Sequence, residues 1–196
     1  TAIRLYGEIL NDYPRDVLAM QVAHIGDFLL GQSTMLRDRV ARVLRQWDEN
    51  VPGYGYLLGM HAFGLEETND FAAAEAAGNR AVALNPRDPW AIHAVAHVME
   101  MQGRLADGID WFDQRTDDWA PENMFAFHNW WHLALFHLDL GDIARVLELY
   151  DTQIHPQPTE AALELLDASA LLWRLHLRGV DVGDRWDDLA ISWETI

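Results

Sequence analysis

The sequence predicts an all-α chain made of helical hairpins repeated along its length. Three observations carry this reading. Pro14, Pro52, Pro86, Pro121 and Pro156 stand 38, 34, 35 and 35 residues apart, a period rather than a scatter. Between prolines, apolar residues recur at helical spacing in two blocks divided by a short polar or glycine-containing turn. No strand pattern competes with it.

The elements follow in order. Residues 1–14, opening on "TAIRLYGEILNDYP" without an initiator methionine, read as the second helix of a preceding hairpin, so a fragment of a longer protein is expected. The next hairpin, 16–50, holds helices near 16–30 and 34–48. Another occupies 54–86, with helices at 54–67 and 70–84 and a turn in which Asn69 or Asp70 serves as N-cap. The hairpin at 88–121 places helices at 88–102 and 104–117 around Gly103, and that at 123–156 places them at 123–140 and 142–154 around Gly141. Helices near 159–178 and 182–195 complete 159–196. "LNDYPRD" and "LNPRD" repeat one device, a helix stopped by proline and the next started by aspartate. The whole of 1–196 reads as one array.

Helix, turn, helix at a period near 34 is the tetratricopeptide signature, and its large-small pattern appears as Trp130, Leu133 and Ala134. Ala74 and Ala81 supply the small residues that close packing of a second helix demands. Such hairpins cannot bury both faces alone. They are predicted to stack into a right-handed α-solenoid whose first helices line a concave groove.

Composition narrows the partners. The formal net charge of −17, from 31 acidic and 14 basic residues, opposes binding to nucleic acid phosphates or anionic lipid, so neither nucleic acid nor membrane is expected as a partner. Every basic residue is arginine, which removes lysine from any catalytic argument. The absence of cysteine excludes thiolate metal sites and cysteine nucleophiles and fits a reducing compartment, the basis for expecting a cytoplasmic location. No apolar run reaches the roughly 18 to 20 residues of a spanning helix.

The histidines carry the functional question. "HAVAHVMEMQGR" and "FHNWWHLALFHLD" each contain two histidines four residues apart. With Gly103 set at its turn, His93, His97 and Glu100 share the groove face of one first helix. With Gly141 set likewise, His128, Trp131 and His132 face the groove from the next, while Trp130, Leu133 and Ala134 go to the core. His24 joins this row, and His61 falls near the boundary between groove and core. Histidines at i and i+4 have Cβ atoms roughly 5 to 6 Å apart, within reach of a shared metal. HxxxH lacks the glutamate of HExxH, however, so no cofactor is predicted and the histidines are read as hydrogen-bonding groove lining. His137, His155 and His176 are assigned structural or surface roles, and Trp47, Trp111, Trp119, Trp173 and Trp186 read as packing anchors. No GxSxG, phosphate-cradling glycine loop or nucleotide fingerprint occurs.

The stretch "FGLEETNDFAAAEAAGNRAVALNPRDPWAIHAVAHVMEMQGR", followed by "HNWWHLALFHLDLGD" and "LYD", resembles the tetratricopeptide repeat protein 38 family over roughly residues 16–178. The resemblance implies a longer chain with further hairpins and transfers no catalytic residue. It implies that the groove of His93, His97, Glu100, His128, Trp131 and His132 belongs to the family's shared core.

The leading expectation is a binding module that takes a peptide segment of a protein partner or a small molecule, with tryptophan stacking and histidine hydrogen bonds as its chemistry. A neutral or cationic partner suits the acidic surface, and histidine protonation below about pH 6.5 would weaken its binding. Two alternatives stay open. One is an enzyme or metal protein using groove histidines and Glu100 as acid, base or ligands. The other is a structural module that self-associates into a homo-oligomer.

Overall fold

The computed structural model describes residues 2–196. Among these, all regular structure is helical: twelve α-helices and one π-helical turn, with no strand. The chain divides into two compact units, Thr1–Gln102 and Gly103–Ile196. No helix of the described residues is long and apolar enough to cross a membrane.

The first unit contains α1 (Ala2–Asp12), α2 (Val17–Leu29), α3 (Ser33–Leu44), α4 (Tyr54–Glu66), α5 (Phe71–Leu84) and α6 (Pro89–Met101). Aspartates start three of them, as the proline punctuation implied. The Asp16 carboxylate accepts from the Ala19 N–H, Asp70 from Ala73, and Asp88 from both Trp90 and Ala91, with Pro89 preset for the first turn of α6. Of the two candidate caps in the turn at 68–70, Asp70 is the cap. Asn69 instead takes φ 64°, the left-handed step that ends α4.

The core of this unit forms where small residues let helices close. Leu10, Ala19, Met20, Val40, Val43, Trp47, Leu57 and Met60 make one cluster. Leu36, Ala62, Phe63 and Ala94 make a second that joins α3, α4 and α6. Each fully buried leucine or methionine contributes roughly 1.5 to 3 kcal/mol. The backbone of α3 passes so near α4 that a Cβ on Gly64 would stand 2.5 Å from the Leu36 carbonyl carbon and the Arg37 nitrogen.

The second unit contains α7 (Leu105–Asp113), α8 (Thr116–Trp119), α9 (Ala126–Leu140), α10 (Ile143–Leu149), a π-helical turn Tyr150–Ile154, α11 (Ala162–Leu177) and α12 (Arg185–Trp193). The helix expected at 104–117 is therefore broken near residue 114 into α7 and α8. The break serves the aromatic core: Trp119 is fully buried, donates its indole N–H to the Phe112 carbonyl at 3.0 Å and packs edge-on against Phe112 and Trp130. Gly141 ends α9 at φ 79°, with the Asp142 N–H returning to the His137 carbonyl.

Two tryptophan expectations need correction. Trp173 is 55% exposed on α11, in a row with exposed Leu163, Leu166 and Leu177, and stacks on His176. Trp130, placed in the core by the large-small pattern, is half-buried, its ring held edge-to-face by Trp119 at 4.5 Å. Leu133 and Ala134 are fully buried as that pattern requires.

Candidate functional site

Each unit carries one HxxxH pair on a first helix, and each pair meets a carboxylate from a neighbouring hairpin. In the second unit α9 holds His128, Trp131 and His132 on one face, the consequence of i, i+3, i+4 spacing. Asp167 on α11 approaches this face, and its Oδ2 lies 2.7 Å from His128 Nδ1. His128 Nε2 and His132 Nε2 are 3.2 Å apart. The consistent tautomers have His128 donating through Nδ1 to the carboxylate and accepting at Nε2 from the Nε2–H of His132. Trp131 stacks on His128 with 11° between planes and centroids 5.4 Å apart. The Arg174 guanidinium covers the indole at 5.2 Å. The Trp131 indole N–H has no hydrogen-bond acceptor among the described residues. Histidine, indole and guanidinium thus form a layered stack at the edge of α9 and α11.

In the first unit α6 holds His93 and His97 with ring centroids 4.2 Å apart. Phe63 on α4 packs against both, 5.6 Å from each ring. His97 Nδ1 stands 3.3 Å from Oε2 of Glu66, the last residue of α4. Glu67 follows, and the donor atoms of Glu66, Glu67 and His97 all lie within 4.8 Å of one another. Glu100, one turn beyond His97 on α6, is half-buried.

His24 also neighbours Phe63, its ring 6.2 Å from that phenyl. It is only 6% exposed and donates from Nε2 to the Met60 carbonyl at 3.0 Å. Burial lowers its pKa to about 4, so it is a neutral imidazole wedged between α2 and α4. His61 is half-buried, with its pKa lowered by burial and then by Arg37.

Glu66, Glu67, Asp167 and Arg174 were not singled out in the sequence. Also absent from that reading is a cleft of about 390 Å³ in the second unit, lined by Tyr150, His155, Pro156, Pro158, Arg185 and Asp188 among others. Arg185 is held there by Asp151 through two hydrogen bonds of 2.7 and 2.6 Å. The buried Tyr150 hydroxyl and His155 Nδ1 have no hydrogen-bond partner among the described residues.

No family model matches the sequence. Among solved structures, the chain is similar to a crystal structure of nearly identical TPR-like repeats in a kinesin light chain-like protein from Podospora anserina. That likeness has a TM-score of 0.58 at 13% identity and covers 100% of this chain and 97% of the other. The fold is TPR-like. At this identity the likeness speaks of the arrangement of helical hairpins and of nothing finer.

Proposed function

We propose that the protein is a binding module of the TPR-like class that recognises a neutral or cationic peptide segment through the first-helix faces of its hairpins. The observation that carries the reading is the His128, Trp131 and Arg174 stack. A flat, amphipathic surface of this kind contacts a peptide with little loss of side-chain freedom, and Asp167 fixes the imidazole so that its polarity is set before a partner arrives. His132 is 3% exposed and supports this face from behind through its 3.2 Å contact with His128. In the first unit His97 and Glu100 on α6 are half-buried and offer a second such face, while His93, 3% exposed, backs it from within and His24 holds α2 to α4. The net charge of −17 supports the choice of a partner without excess negative charge. The lack of cysteine fits a reducing, cytoplasmic setting for this module.

The test is selection from a random peptide library on the immobilised wild-type chain beside Trp131→Ala. Enrichment of a peptide set by the wild type, with affinity at least tenfold weaker in Trp131→Ala, is the expected result. A wild-type chain that enriches nothing over a bare matrix would refute the proposal.

A second reading has one observation in its favour. A histidine whose Nδ1 is held by an aspartate is the arrangement that orients a general base. In that role the His128 imidazole would act on a bound substrate or water.

A further inference from the structure

The end of α4 presents an electrostatic arrangement that its surroundings do not explain. Glu66 and Glu67 are consecutive carboxylates at the C-terminus of a helix, where the macrodipole already disfavours negative charge. Glu66 is 5% exposed, and its Oε2 makes no hydrogen bond among the described residues. Oε2 nevertheless lies 3.3 Å from His97 Nδ1, a separation that suits an ion pair or two atoms sharing a third. Glu67 beside it is half-buried. Two carboxylates withdrawn from water against one imidazole leave a local deficit of positive charge.

We propose that Glu66, Glu67 and His97 are the protein ligands of a divalent transition-metal ion, zinc foremost. Their donor atoms lie within 4.8 Å of one another, close enough to converge on one ion. Zinc bound at about 2.0 to 2.1 Å in tetrahedral geometry holds neighbouring donors about 3.3 Å apart. The separation of His97 Nδ1 and Glu66 Oε2 has that value. An imidazole in the set selects zinc, manganese or iron over calcium and magnesium, which favour all-oxygen sites. The Phe63 ring against His97 walls one side with apolar surface, which strengthens binding of a cation to the buried carboxylate. Positions beyond these three ligands would be open to water or an incoming group. The metal would also neutralise Glu66 and tie α4 to α6. The proposal stands independently of whether α9 recognises a peptide.

The experiment uses the full chain after exhaustive chelation. Zinc chloride is titrated by calorimetry, stoichiometry is read by native mass spectrometry, and thermal unfolding is followed with and without zinc. Glu66→Gln, Glu67→Gln and His97→Ala are compared with wild type, with His176→Ala as an exposed control. The wild type is expected to bind one zinc that Glu66→Gln and His97→Ala each weaken at least tenfold, with His176→Ala unchanged. Glu66→Gln keeps the side chain's shape while removing its buried charge. It is therefore expected to melt higher than wild type without metal yet to lose the zinc-induced rise, an inversion that misfolding cannot produce. Absence of zinc binding at 100-fold excess, zinc held equally by all three variants, or calcium bound as tightly as zinc would each overturn the assignment.

Discussion

His128 and Asp167 meet between α9 and α11 at 2.7 Å, ring Nδ1 to carboxylate Oδ2, although 39 residues separate them in the chain. This contact sets which nitrogen of His128 carries its proton and, through the 3.2 Å link to His132, orders both imidazoles of the pair. Asp167→Asn should keep the shape and remove the charge. Long-range proton–nitrogen correlation spectra at pH 7.5 are expected to show the Nδ1–H tautomer for His128 in the wild type and a mixture in the variant. A single unchanged tautomer would mean that Asp167 does not direct the ring.

A second carboxylate contact is structural. Asp27 on α2 and Arg39 on α3 are joined by hydrogen bonds of 2.6 and 2.9 Å, with side chains 0% and 7% exposed. Removing one partner of such a pair leaves the other charge buried, at a cost of about 3 to 5 kcal/mol. Urea unfolding of Asp27→Ala should show a loss of this size. The double variant Asp27→Leu, Arg39→Met should recover most of it, because the pair as a whole offsets its own desolvation only in part. Equal losses in the single and double variants would contradict this account.

Gly64 permits the approach of α4 to α3. The obstacle to a larger side chain there is the backbone at Leu36 and Arg37, which cannot rotate aside. Gly64→Ala should therefore lose at least the roughly 1 to 3 kcal/mol of an overpacked core, despite alanine's better helix propensity. By contrast, Gly103→Ala meets no atom within 4 Å and suffers only the strain of φ 67°. Denaturant midpoints of the two variants would test the ranking, and a Gly64→Ala chain as stable as wild type would refute it.

These particulars show what the sequence could and could not convey. The starts of α2, α5, α6 and α10 were legible because each is capped locally: Asp16 and Asp88 follow a proline by two residues, and Asp70 and Asp142 follow the left-handed turns at Asn69 and Gly141. The split of 104–117 into α7 and α8 was not legible, because it serves the burial of Trp119 against Phe112 rather than any local turn signal. The two histidine pairs were visible from their spacing on single helices. Their carboxylates were not, since helical spacing relates residues of one helix only, such as His97 and Glu100, while Glu66 and Asp167 come from neighbouring hairpins. An acid about one repeat length from a histidine is the signal that would have found them. His24 looked like its groove counterparts in sequence, and only the Met60 carbonyl within α4 distinguishes its surroundings.

Two buried groups in the first unit oppose one another in their response to pH. Burial pushes the Asp88 carboxyl up from 3.8 to about 6, outweighing the N–H groups of Ala91 and Trp90 that it accepts. Folding therefore favours its protonated form, and its contribution to stability is full below pH 3.8 and lost as pH rises through 6. Burial lowers His24 from 6.5 to about 4, so its contribution is full above pH 6.5 and lost as pH falls through 4. At about 1.4 kcal/mol per pKa unit, each amounts to about 3 kcal/mol. The two nearly offset each other between pH 4 and 6, where the pair leaves stability almost level. Asp88→Asn retains a good N-cap without an ionisable group. Its stability relative to wild type should rise by about 3 kcal/mol between pH 4 and pH 7, leaving the acid sensitivity of His24 unopposed. His24→Gln keeps a donor for the Met60 carbonyl and should show the reverse trend. Urea denaturation of the three chains at pH 4, 5, 6 and 7 would measure both differences, and parallel curves for Asp88→Asn and wild type would show that Asp88 ionises in the folded chain as it does in the unfolded one.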